Sequence, residues 1–330
     1  MEFIRVEDCC DILDSQRKPI TESERVPGMY PYYGANGIQG TINQYIFDGK
    51  LVLVAEDGGH FGSKTKPIAY LVNGKCWVNN HAHVLRAKKG FLAEYICYSL
   101  MFYKIEGYIN GATRQKLTQA ALRKLIIPKR PVEYQKAIVD RLDLVKCIIE
   151  KKQDLINELD VLIKSRFVEM FGDLIINSKC LNTKRLDELF LLKAGITTAP
   201  SDILSYTNSS HKYLCYGGNG VRGYVKYFSY SGIFPLIGRQ GALCGNVQLA
   251  QGDFHATEHA ILVKPLVEYV DEIWSYYALS ALNLFRYHTG AAQPGISVKT
   301  LNNILLPIPI LSEQKKFVLF SNQINKLKFA

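Results

Sequence analysis

The chain has 330 residues, 48% of them hydrophobic, with 40 Lys and Arg against 30 Asp and Glu for a formal net charge of +10. That length holds two ordinary domains, the composition is globular rather than disordered, and no apolar run approaches the ~20 residues of a membrane helix. The eight cysteines are scattered without a C-x-x-C pair, which fits reduced thiols rather than a zinc ribbon or a disulfide framework. The opening MEFIRVEDCCDIL lacks the basic-then-apolar layout of a signal peptide, so the expected location is cytoplasmic. A basic excess with 20 Tyr and 15 Phe suits a nucleic-acid partner.

In chain order, a short amphipathic segment leads into the polar, basic loop from Asp14 to Pro19, carrying Arg17 and Lys18. Tyr30 to Tyr33 then reach Gly34-Ala-Asn-Gly37-Ile-Gln-Gly40, where Asn36-Gly37 predicts a hairpin turn with both central residues at positive φ. Residues 41–47 and 50–55 read as strands around Asp48-Gly49. A glycine-rich loop from Glu56 ends basic at Lys64 and Lys66. Further strands are expected at 69–72, 76–78 and 83–86, a helix at 91–103, and a polar loop at 110–116 with Arg114, Gln115 and Lys116. Residues 122–127 lead out of this first half.

From Val132 to about Gly172, the residues Ile138, Leu142, Val145, Ile149, Ile156, Leu159, Ile163 and Met170 recur at spacings of four and three, interrupted by Lys152 and Arg166. That is the stripe of a helix packing lengthwise on another. Pro131 can open it, because its missing N–H would be unpaired there, and Gly172 can close it in the left-handed conformation. About 40 residues at ~1.5 Å each make a helix of about 60 Å, which reads as a spacer. Beyond it, strands at 214–216, 224–228, 232–238 and 260–263, a helix at 273–286 and a loop at 289–295 repeat the first order. After Pro309, with Ser312 as N-cap, Phe317, Phe320, Ile324 and Leu327 form a second, shorter stripe that runs to Ala330. Two such helices would pair antiparallel, the short one covering only one end. The seam at 149–170 is then left for another protein or a second copy of the chain.

The two halves are one pattern written twice. Tyr33-Gly34-Ala-Asn-Gly37-Ile-Gln-Gly40 matches Tyr216-Gly217-Gly-Asn-Gly220-Val-Arg-Gly223, and at the same offset Gly58 matches Gly241 and Gly62 matches Gly245. At a slightly smaller offset His81-Ala82 matches His259-Ala260, Gly111-Ala112 matches Gly290-Ala291, and Gln135-Lys136 matches Gln314-Lys315. Even the starts agree, Arg5-Val6-Glu7-Asp8 with Arg185-Leu186-Asp187-Glu188. The expected fold is α+β. It comprises mixed, strand-rich domains at 1–131 and 173–309, a coiled-coil spacer helix at 132–172, and a short second helix at 310–330.

Catalytic motifs are formal matches in the wrong context. Gly218-Asn-Gly220-Val-Arg-Gly223 fits G-x-G-x-x-G, but strand-like sequence follows where a dinucleotide site needs a helix. His255-Ala-Thr-Glu258-His259 fits a zinc-peptidase pattern that needs a helical turn, whereas strand formers follow it, so a zinc hydrolase on His255, Glu258 and His259 is the remote alternative. Gly58 to Lys64 lacks P-loop spacing, and the Asn-Pro-Pro-Tyr motif of adenine methyltransferases is absent. Basic and amide side chains in loops are the better candidates. They are Arg17, Lys18, Asn36, Lys64, Lys66, Arg114, Gln115 and Lys116 in the first half, and His211, Lys212, Arg222, Arg239, Gln240 and Gln293 in the second. Arg and Gln can bond guanine and adenine edges, while Lys mainly meets phosphates.

The stretch PYYGANGIQGTINQYIFDGKLVLVAEDGG and the run from Gln135 through Phe171-Gly172-Asp173 resemble the specificity subunits of Type I restriction-modification systems, and the resemblance covers essentially the whole chain. It departs in the second helix, which in the family is comparable to the first. The resemblance implies two target-recognition domains that read the parts of a bipartite, asymmetric site in double-stranded DNA, with the helices as a ruler between them. It also implies two modification subunits that carry S-adenosylmethionine and the adenine-N6 chemistry, and motor-nuclease subunits that use ATP and Mg. The chain itself is then expected to hold no cofactor or metal and to catalyse nothing.

Overall fold

In each half of the molecule the first strand pairs with the last. The computed structural model describes residues 2–111, 114–290 and 293–328, and divides into two units, 1–151 and 152–330. Ala112, Ala291 and Ala330 lie outside the described residues. In the first unit Phe3–Arg5 runs antiparallel to Ile126–Pro128, and the one-turn helix Val6–Cys9 follows. In the second, Asn182–Arg185 runs antiparallel to Leu305–Ile308, and Leu186–Leu189 follows. The chain thus enters and leaves each unit side by side. The closing strand delivers it directly into a helix, Val132–Phe171 in one case and Leu311–Leu327 in the other.

The strands between repeat in the same spatial order. The first unit has a four-stranded sheet, Cys10–Ile12, Ala82–Ala87, Leu51–Ala55 and Ala69–Val72, and a three-stranded one, Gly37–Ile42, Tyr30–Gly34 and Trp77–Val78. In the second unit these become one six-stranded sheet, ordered Phe190–Ala194, Ala260–Pro265, Tyr230–Gly238, Val247–Ala256, Tyr213–Gly217 and Gly220–Val225. The difference is one strand. Val247–Ala256 pairs with Tyr230–Gly238 and also, in parallel, with Tyr213–Gly217. Its counterpart in the first unit is interrupted between Val72 and Trp77, where Gly74 takes φ +88°. Leu51–Ala55 is buried at every residue, as the central strand of a covered sheet requires. One helix packs against the sheets of each unit, Ala93–Met101 and Glu272–Ala281. The second is shorter than the expected 273–286, because Asn283 turns to φ +48° and a 3₁₀ turn, Leu284–Tyr287, replaces the last part.

One glutamine ties each long helix to its unit. Gln135 is completely buried in the first turn of Val132–Phe171. Its Oε1 accepts from Leu92 N at 2.9 Å, and its Nε2 donates to Gly90 O at 3.0 Å and Arg130 O at 2.8 Å. Gln314 does the same in the second unit, accepting from Asp271 N at 2.9 Å and donating to Tyr269 O at 3.0 Å and Pro309 O at 2.8 Å. Val139 joins the first core one turn later. In the second unit Ile163, Phe167 and Phe171 are buried against Trp274 and Phe317, the aromatic rings meeting edge to face. Gly172 closes the helix at φ +73°, as expected.

The seam differs from its expected course. Leu311–Leu327 covers the end of the long helix through Phe317 on Phe167 and Phe171, Phe320 under Arg166, and Lys328 Nζ on Asp160 at 2.6 Å, an antiparallel order. Phe167 and Phe171 carry this contact, with Met170 only partly buried. Residues 141–155 are all exposed, so the stripe is open at Leu142, Val145 and Ile149, with Ile148 and Leu155 beside it, whereas Ile163 is buried and the exposed Val161, Leu162 and Val168 lie off it. The short helix begins at Leu311 behind Ile310, not at Ser312. No helix is long and apolar enough to cross a membrane among the described residues.

A buried ionic network locks the Asp14–Gln16 turn of the first unit to its sheet. His83 Nδ1 lies 2.6 Å from Asp14 Oδ2 and its Nε2 2.8 Å from Leu117 O, while Val84 N donates to Asp14 Oδ1 at 2.9 Å. Arg17 Nη1 reaches Glu56 Oε2 at 2.6 Å, Arg17 Nη2 sits 3.5 Å from Asp14, and Lys116 Nζ meets Glu56 Oε1 at 3.0 Å. Burial works against charge on Asp14 and Glu56, yet these partners hold both carboxyls below their ordinary values of 3.8 and 4.5.

Two outcomes follow from these anchors. Replacing Gln135 with Leu strands the Leu92 amide and two carbonyls, and should lower the first unit's stability by about 1–3 kcal/mol in urea titrations. Exposed Lys136→Ala should stay within about 0.5 kcal/mol. Because the folded-state values of Asp14 and Glu56 are depressed, their contribution is complete at neutral pH and is lost as the pH falls below those ordinary values. Asp14→Ala should therefore cost about 3 kcal/mol at pH 7 by leaving buried charges unpaired, and progressively less as the pH falls below 3.8.

Candidate nucleic-acid interface

The glycine hairpin is built one residue earlier than its sequence suggests. Gly34 pairs with Gly37, so Ala35 and Asn36 form the turn and Gly37 alone takes the left-handed place at φ +107°. In the second unit Gly217 pairs with Gly220, which stands at φ +96°, and Gly218 and Asn219 turn. Tyr33 faces Ile38 and Tyr32 faces Gly40, which leaves Gln39 as an extra, unpaired residue; Arg222 holds the same place between Val221 and Gly223. Such bulges re-aim one side chain. Here both fold back over the first glycine. A Cβ on Gly34 would stand 2.3 Å from Gln39 Nε2, and one on Gly217 would stand 2.5 Å from Arg222 Cδ. Asn79 Nδ2 steadies Gln39 by donating to its Oε1 at 3.0 Å.

Two further loops meet this hairpin in each unit. Glu56 N donates to His81 O at 2.9 Å and Leu117 N to Glu56 O at 2.7 Å; the matching bonds are Arg239 N to His259 O at 2.8 Å and Ile296 N to Arg239 O at 2.9 Å. Asp57 bridges to Lys116 and Gln240 to Gly295. On this shared frame His81 Nδ1 contacts Asp57 Oδ1 at 2.6 Å, and His259 Nδ1 contacts Gln240 Oε1 at 3.1 Å. Arg114 Nη2 also donates to Asp57 Oδ1, at 2.9 Å. Asn36 Nδ2 donates to Gly58 O at 2.9 Å, tying the hairpin tip to the same loop. A cleft of about 440 Å³ opens beside Arg25, Gln39, Asn79 and His81, and one of about 420 Å³ beside Asn219, Arg222, Gln240 and His259.

The structure sorts the sequence candidates. Asn36, Arg114, Arg222 and Gln240 converge on these loops, with exposed Gln293 at the place of Arg114 and the backbone of half-buried Arg239 inside the frame. Lys18, Lys64, Lys66, Gln115 and Lys212 are exposed nearby or on flanking loops, Lys212 lying over the Tyr213 ring. Two expectations are corrected. Arg17 is not a free cation, since its side chain is 12% exposed and committed to Glu56 and Asp14. His211 is turned inward, with Nδ1 2.9 Å from Ser210 Oγ. Lys116 is exposed but already paired with Glu56. Gln39, Asp57 and His81 join the cluster without having been singled out, although the Gly34–Gly40, Gly58–Gly241 and His81–His259 matches place them in the repeat.

No helical zinc motif exists at His255. It ends the strand Val247–Ala256, fully buried, with Nε2 2.7 Å from Thr198 Oγ1 and Nδ1 on Ser229 Oγ. Asp14, Glu56 and His83 are close enough together to suggest a metal site among the described residues. Arg17 and Lys116 already supply the positive charge there, and both His83 nitrogens face acceptors. The donor set therefore fits an ion-pair network better than a metal.

Both halves match the model of the Type I restriction modification DNA specificity domain, over residues 1–161 and 180–327. The chain is 43% identical over 131 residues to the Type I restriction enzyme EcoprrI specificity subunit of Escherichia coli, 40% of this chain and 32% of that one. It is 35% identical over 148 residues to a Haemophilus influenzae protein named as a type I restriction enzyme specificity subunit, 45% of this chain and 38% of that one. It thus spans about a third of the length of the curated relatives it matches. The Type-I restriction-modification S subunit from M. genitalium shares its fold, with a TM-score of 0.62, 16% identity, and coverage of 99% of this chain and 90% of that one. With the family model matched in both units, the chain belongs to the Type I restriction modification DNA specificity domain family.

Proposed function

We propose that each unit is a target-recognition domain for double-stranded DNA, so that the chain reads a bipartite, asymmetric site as the specificity subunit of a Type I restriction-modification complex. The observation that carries this is the duplicated cluster of hairpin, bulge and loops around His81 and His259. Rigid strands hold it, and unlike side chains fill matched places, which suits two recognitions by one scaffold. Phosphates are met by the exposed lysines, and base edges by arginine and amide groups.

On this reading the chain is not itself an enzyme and acts in the cytoplasm. S-adenosylmethionine, ATP and Mg belong to two modification subunits and to motor-nuclease subunits. The modification subunits cover the apolar face of the long helix at Leu142, Val145, Ile149 and Leu155, which in this chain alone meets solvent. A second copy of the chain is the other occupant that face suits. Light scattering decides between them: a monomer at micromolar concentration counts against self-association.

The recognition reading is tested by mapping adenine methylation in cells that express the chain with its modification subunits. One motif of two specified groups separated by a fixed gap is expected. Exchanging residues 1–131 for the first domain of another family member should then alter one group only, and alteration of both would show that the units do not read independently.

A further inference from the structure

The two units differ in chemistry at one matched pair of places. In the first, Arg114 carries an exposed guanidinium, 63% accessible, whose Nη2 is fixed at 2.9 Å by Asp57 Oδ1. Asp57 is only 16% exposed, and the same oxygen takes the His81 contact at 2.6 Å. The guanidinium lies over Gly58, where an added Cβ would stand 3.6 Å from Nη2. In the second unit the corresponding residues are Gln240 and Gln293, two amides on the same backbone frame. The loops coincide in detail: Gly111 and Gly290 have φ +99° and +88°, and a Cβ on each would strike the carbonyl oxygen of Arg114 or Gln293.

A carboxylate behind an exposed guanidinium has a specific effect. It offsets the net charge, which weakens a contact with phosphate, and it removes rotamer freedom, which strengthens a directional contact. The four remaining N–H groups of Arg114 still form a planar fork. An uncharged acceptor pair with fork spacing is the guanine edge, O6 and N7 in the major groove. Amides at the same place match the adenine edge instead.

We propose that Arg114 is the residue through which the first unit reads a guanine, with Asp57, backed by His81, as its positioning residue. This rests on the recognition reading above. The second unit has Gln240 and Gln293 at that place, so the guanine contact made from there belongs to one half of the site.

The test is methylation mapping with the complete complex of this chain and its modification subunits, comparing wild type with Arg114→Ala, Arg114→Lys and Asp57→Asn. In wild type, one group of the motif should contain a G·C pair. Arg114→Ala should reduce discrimination at that pair about tenfold or more and leave the other group intact. Arg114→Lys keeps the charge but not the fork, so it should relax the same base pair. Asp57→Asn should loosen that pair alone, an effect that a general weakening of the fold would not produce. An Arg114→Ala complex that methylates the same motif with a uniform loss, restored by Arg114→Lys, would make Arg114 a phosphate anchor and overturn the inference. An unchanged motif, or a first group lacking any G·C pair, overturns it equally. A wild-type complex with no defined motif removes the recognition reading itself. Arg114 is exposed at the end of a loop, so the Lys variant retains the fold in which these outcomes are read.

Discussion

A primary amide buried at the start of a helix decides how this molecule is joined. Gln135 and Gln314 each satisfy one amide and two carbonyls that the chain would otherwise bury unpaired, and each bonds to the segment just before its unit's main helix. Glutamine is the side chain with one acceptor and two donors on a stem long enough to reach them. An apolar substitute fills the volume and abandons three polar groups, which is why the penalty exceeds that of lost packing.

The same economy governs the two matched loop frames. The bonds that shape them run through the backbone, from Glu56 and Leu117 in one unit and from Arg239 and Ile296 in the other. Side chains on that frame can change without altering it. Asp57 becomes Gln240, Arg114 becomes Gln293, and Gln39 becomes Arg222, while the bulge, the left-handed glycine after the turn and the histidine remain. A scaffold whose register is set by main-chain bonds and glycine conformations leaves its outward side chains free to differ.

The features legible in the sequence were those with few chemical solutions. Glycines at matched spacing announced the duplication, because Gly37 and Gly220 occupy a region that other residues resist. The long helix was legible from its apolar spacing and from Gly172 at its end. Less legible was anything that depends on what lies opposite. Arg17 looked like a loop cation, and only the fold brings Glu56 to it from distant sequence, beside Asp14 three residues earlier. His255, Glu258 and His259 match a metal motif by spacing alone: the strand formers after them already argue against a helical turn, and a strand end followed by a tight turn stands there instead. The strand Val247–Ala256 escaped notice since its burial neither alternates nor persists: it is covered at both ends and exposed at Gln251, Gly252 and Asp253. Phe167 and Phe171 lie off the expected stripe, yet they carry the contact with Phe317 of the short helix, and Phe171 also meets Trp274.

The stretch from Arg141 to Leu155 is exposed at every residue, touching its unit through Asp143 on the Tyr98 hydroxyl, and a helix of that length is marginal in water unless its ends are held. Here both ends are held, by Gln135 and Val139 on one side and by Ile163, Phe167 and Phe171 on the other. Its amide protons are therefore shielded only by hydrogen bonds that open locally, while those at the two ends are released only when a core unfolds. Deuterium uptake along this single helix should thus form three zones, slow, fast and slow. A partner that settles on the middle would announce itself by erasing the contrast.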